Sequence, residues 1–122
     1  MNQDDFKNLV AEALDALPKF FQDRLENVDV VVEDWPDAAT LHRAGVQHRT
    51  QLLGFYHGVP QTKRTRHYGL VLPDKITIYR RPIEMCCRTM EDIQAKVYSV
   101  LKHEIAHHFG ISDARLRELD AY

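Results

Sequence analysis

Apolar residues at the start of the chain fall at Phe6, Leu9, Val10, Ala13, Leu14 and Leu17. That three-and-four spacing predicts a helix over residues 4 to 16. Asp4 and Asp5 suit its first turn, where carboxylates offset the positive end of the helix dipole. Pro18 permits a second short helix with Phe20, Phe21 and Leu25 on its apolar side. Val28 to Val32 is rich in β-branched residues, lies between Asn27 and Pro36, and predicts a strand. Residues 36 to 50 read as a loop with one helical turn. Leu52 to Gly58 reads as a second strand ending in a turn, followed by a polar excursion over 59 to 74. Ile76 to Arg80 alternates apolar and polar, which predicts a third strand with one solvated side, ended by Pro82.

The longest predicted helix runs from about 90 to 109. Thr89 followed by Asp92 gives a capping pattern, and Gly110 suits the stop. A short helical tail from Asp113 to Leu119 follows. With ~100° per residue and Ile93 at zero, Val97 falls near ~40°, Val100 near ~-20° and Leu101 near ~80°, a buried stripe. Further along, Glu104 falls near ~20°, His107 near ~-40° and His103 near ~-80°, where apolar residues are expected. Unpaired burial of such groups costs several kcal/mol, and a metal ion would compensate.

Composition narrows the class. The chain has 122 residues, 44% apolar and 28% charged, with a formal charge of -2. One domain, 1–122, is the expectation, with no global attraction to nucleic acid or a membrane surface. No apolar run approaches the ~20 residues of a membrane span, and MNQDDFKNLV has no signal-peptide pattern, so a cytoplasmic location is expected. Cys86 and Cys87 are adjacent, and read as free, partly buried thiols.

The chemistry sits in His103-Glu104-Ile105-Ala106-His107. Histidines at i and i+4 lie one turn apart on one side of a helix, so two imidazoles can hold one zinc ion. Glu104 is offset by one residue and reaches a water beside the metal, as a general base. Gly110 turns the chain back, and Asp113 supplies a third ligand. Chance gives the five-residue pattern in a chain of this composition about 2% of the time, and the form extended by Gly110 and Asp113 about once in ten thousand.

The segment from His103 to Asp113 resembles the active helix of the minimal zincin-like metallopeptidase family of small bacterial proteins. Leu53 to Pro60 and Leu72 to Ile83 are similar to that family as well. The resemblance covers roughly residues 8 to 122, at motif strength from 52 onward. It implies an α+β minimal zincin-like fold, with a small mixed sheet of about three or four strands packed on helices and the active helix near the C-terminus. It implies zinc on His103 and His107, with Asp113 at the third-ligand position, and Glu104 as general base. The expected activity is hydrolysis of a peptide or amide, with a peptide or protein as substrate. In zincins a sheet-edge strand commonly pairs with extended substrate, and Ile76 to Arg80 is the best candidate for it here, with an ordinary strand as the equal alternative.

Other features carry less. His108 points ~100° away from His107 and reads as a packing residue. His42, His48, His57 and His67 read as surface or polar packing, with one of them, Tyr56 or Tyr79 available to stabilise an oxyanion. Trp35 reads as core or a loop anchor. Lys63-Arg64-Thr65-Arg66-His67 reads as a solvated basic loop. Two other functions compete. A metal-dependent nuclease would use that loop for phosphate, but has no need of Glu104. A non-catalytic zinc protein, regulating or binding a partner, would keep the metal for stability.

Overall fold

In the computed structural model, residues 1–58 and 73–120 are described, with backbone alone for Asp113, Leu119 and Asp120. The basic run Lys63 to His67 lies outside the described residues, as does the polar excursion before Pro73.

Helix α1 (Gln3–Ala16) begins where the Asn2 side chain accepts from the Asp5 N–H, and it buries Phe6, Leu9, Val10 and Ala13. Helix α2 (Lys19–Arg24) follows Pro18 and buries Phe21. Strand β1 (Val28–Glu33) comes next. The predicted loop after it holds a two-turn helix, α3 (Ala38–Ala44). Its signals are local: the Asp37 carboxylate caps the Thr40 N–H at 2.7 Å, and Gly45 ends the helix at φ 71°. A 3-10 turn (Arg49–Gln51) leads into β2 (Gly54–His57), and β3 spans Asp74–Tyr79.

Pro82 does not stop a strand. It lies in the first turn of helix α4 (Arg80–Met85), where its missing N–H has no helical partner to lose. Arg80, the first residue of α4, is buried and donates to Asp34 Oδ1 at 2.9 Å, and its guanidinium holds the Asp34 carboxyl below the usual range. Helix α5 (Met90–Phe109) starts with a capping box of Thr89 and Asp92 and stops at Gly110, φ 68°. Helix α6 spans Asp113–Asp120.

The sheet is mixed and three-stranded, in the order β1-β3-β2. β1 runs parallel to β3, and β2 antiparallel to it. This corrects the placement of Ile76 to Arg80 as an edge. Ile76 to Tyr79 lie in the central strand, with Arg80 already in α4, and apart from Lys75 every residue of β3 is buried, so neither side is solvated. The edge strand nearest α5 is β2. The core joins Phe6, Val10 and Phe21 of the N-terminal helices to Ile76 and Ile78 of β3 and to Val97, Leu101 and Ile105 of α5. Each fully buried side chain of this size contributes about 1.5–3 kcal/mol. The chain is therefore α+β, a small mixed sheet packed on helices. Among the described residues, no helix is long and apolar enough to cross a membrane.

Candidate active site

The buried face of α5 shifts along its length. Val97, Val100 and Leu101 face the core, but the last buried residues are Ile105 and Ala106. His103 and His107 are exposed, and Glu104 is half-buried. This corrects the expectation that all three ionisable groups are turned inward. The core drifts round the helix to Ile105 and Ala106, where Leu116 of α6 joins the same cluster, and the face continuing from Ile93 opens outward. Only Glu104 bears a burial penalty. Burial raises its carboxyl above the ordinary range, opposed by His107 and by the backbone N–H of Tyr56, which donates to it.

That contact sets the relation of strand to helix. Tyr79 N–H donates to the Leu53 carbonyl at 3.0 Å, which makes Leu53 and Tyr79 a hydrogen-bonded pair across the sheet. Antiparallel pairs alternate, so the backbone of Gly54 and the N–H of Tyr56 face the outer edge of β2. Gly54 permits the approach, because a Cβ there would lie 2.6 Å from Val100 Cγ1 of α5. The Tyr56 ring is fixed from both sides. Its hydroxyl donates to Asp74 Oδ2 at 2.8 Å, and its face stacks on His108 with centroids 3.7 Å apart. His108 Nε2 is in turn 3.8 Å from Asp74 Oδ2.

Glu104 and His107 line one cavity of about 350 Å³, a size suited to a small ligand. Tyr56 and Phe55 of β2 line it too, as does Arg43 at the end of α3. A hollow of about 420 Å³ between α1 and α5 carries Glu12 and Glu91 but no histidine.

The His103 ring is held by the helix turn before it. Its Nδ1 lies 2.7 Å from the Ser99 carbonyl. A carbonyl only accepts, so Nδ1 is the donor, which in the neutral tautomer leaves the lone pair on Nε2. His107 stands one turn further on. Two neutral imidazoles fit zinc by donor chemistry. The side chain of Asp113, the third expected ligand, lies outside the described residues. Among the described residues, no group of three or more His, Cys, Asp and Glu is placed to hold a metal ion.

The oxyanion candidates separate clearly. Tyr79 is fully buried, with its phenol raised by burial, and it does not line the cavity. His57 packs edge-on against Phe55 at 4.7 Å, and burial, with Lys75 and Arg43 nearby, lowers it below the ordinary imidazole value. Cys86 and Cys87 are free thiols away from the cavity, with sulfurs 4.0 Å apart. Sequence reasoning missed Arg43, because residues 36 to 50 read as loop. Its signal was the Asp37 and Gly45 pair that brackets α3.

A search of curated proteins gives no match. Among solved structures, a conserved hypothetical protein from Thermo thermophilus is similar in fold, with a TM-score of 0.54 and 25% identity. The alignment covers 89% of this chain and 94% of that one. Residues 25–122 match the family described as Zincin-like metallopeptidase, a span that includes β1, β2, β3 and the whole of α5. With that span matched and its histidine helix lying against an edge strand, the chain belongs to the zincin-like metallopeptidase family.

Proposed function

We propose that the protein is a zinc-dependent hydrolase of peptide or amide bonds, with Glu104 as its general base. One observation carries the reading. The half-buried Glu104 carboxylate is held by the Tyr56 N–H on the wall of a cavity that it shares with His107. A helix with incidental histidines has no use for that carboxylate, whose burial is only partly offset.

His103 and His107 would hold the metal, with Asp113 as the third ligand. Zinc, when bound, supplies Lewis acidity that polarises the scissile carbonyl and acidifies water. Glu104 takes the proton of the attacking water on a carboxylate oxygen and returns it to the leaving amine. The Tyr56 N–H keeps the carboxylate in place between the two steps. Extended substrate would pair with β2, an edge strand of the sheet.

The test is hydrolysis of a mixed peptide library by zinc-loaded protein, with and without a chelator, beside Glu104→Gln. The expected result is cleavage that the chelator stops and that Glu104→Gln lacks. Equal cleavage by the two proteins contradicts the reading.

A further inference from the structure

Arg43 shares the cavity of Glu104 and His107 but comes from a different element, the last turn of α3. The Asp37 cap and the left-handed Gly45 fix the ends of α3, so Arg43 is set on a helix and not on a wandering loop. Its guanidinium carbon lies 5.4 Å from the centroid of Phe55, another wall residue. Among the described residues Arg43 enters no ion pair. Asp37, whose carboxyl the Arg43 charge helps to lower, spends its carboxylate on the helix cap. The cavity thus has a cation on one element and a general base on another, with aromatic and apolar residues between.

We propose that Arg43 binds a carboxylate of the substrate, making the site selective for peptides with an anionic group close to the scissile bond. This rests on the reading of Glu104 as a peptide-hydrolysing base. A guanidinium offers two parallel N–H donors that match a carboxylate, and it keeps its charge at every physiological pH. In a peptide the carboxylate comes from one of two sources: the free C-terminus, or an Asp or Glu side chain. The same chemistry reads both.

The experiment measures binding apart from turnover, by calorimetry on zinc-loaded Glu104→Gln protein at physiological salt. Three probes are used: acetylated tetra-alanine as the free acid, the same peptide as its amide, and that amide with one alanine replaced by glutamate. At least one of the two anionic probes is expected to bind about tenfold tighter than the neutral amide, the strength of a hydrogen-bonded charge contact. Preference for the free acid identifies the C-terminus as the source, and preference for the glutamate peptide identifies a side chain. Adding Arg43→Gln should erase the difference, and Arg43→Lys should restore only part of it. Arg43 is exposed, so both variants should fold, which a thermal melt checks.

Equal binding of all three probes overturns the proposal, as does failure of every probe to bind. A preference that survives Arg43→Gln overturns it too. Loss of turnover for charged and neutral peptides alike in Arg43→Gln, with unchanged binding, would make Arg43 an oxyanion stabiliser and overturn substrate selection. Failure of the underlying reading shows separately, as equal cleavage by wild-type and Glu104→Gln protein.

Discussion

The backbone N–H of Tyr56 donates to the carboxylate of Glu104, so the edge strand of the sheet holds an acid of the histidine helix. Burial pushes that carboxyl toward its neutral form, and the N–H pulls it back. The balance leaves an acid that binds protons more readily in the folded protein than in the unfolded one.

A pH dependence of stability follows for the metal-free protein. Where a folded carboxyl titrates above its unfolded value, the native state holds the extra proton through the interval between the two. Stability therefore falls as pH rises from the ordinary carboxylate range to the raised one. Glu104→Gln carries no such proton. Its melting temperature relative to wild type should climb across that interval and level off at neutral pH, measured by thermal melts in chelator.

Gly54→Ala tests how close β2 comes to α5. The new methyl would meet Val100 Cγ1 at 2.6 Å and the Thr77 carbonyl at 3.3 Å. Helix or strand must move, at a cost of about 1–3 kcal/mol. Denaturant unfolding measures that loss. Hydrolysis should fall further than stability alone explains, because the shift carries Tyr56 away from Glu104.

The helix and the shared side of its two histidines were legible in the sequence because both are local. Thr89, Asp92 and Gly110 mark the ends of α5 by caps that act within one turn. The i and i+4 histidines need only the helix itself. Strand order was not legible, since Ile76 and Ile78 look alike as edge or centre until β1 and β2 pair with them from distant segments. The drift of burial from Leu101 to Ile105 and Ala106 likewise depends on what packs there. Pro82 misled because a proline ends a strand and opens a helix equally well.

Tyr56→Phe keeps the ring on His108 and removes the hydroxyl donated to the buried Asp74. Loss of a hydrogen bond to a charged acceptor should lower stability by about 1.5–3 kcal/mol. Comparison of the two unfolding curves reads this directly. Zinc content should not change, because the lost hydroxyl pairs with Asp74 and not with His103 or His107.

The adjacent thiols should differ from ordinary cysteines in reactivity. Burial first, and then the neighbouring Cys86, pushes the Cys87 thiol up to about 11. It is therefore protonated at neutral pH, and the thiolate is the reactive form. Alkylation by iodoacetamide at pH 7.5, a pH on the order of three units below that value, should leave Cys87 largely unmodified until the protein is unfolded, as peptide mass mapping would show.

The most direct measurement takes metal content and peptide cleavage on the same samples of wild type, His107→Ala and Glu104→Gln. Wild type should bind one zinc ion per chain and cleave. His107→Ala should lose both the metal and the activity. Glu104→Gln should keep the metal and lose the cleavage, because Glu104 moves protons and does not hold zinc. Cleavage by Glu104→Gln at the wild-type rate, or full zinc binding by His107→Ala, would contradict the account.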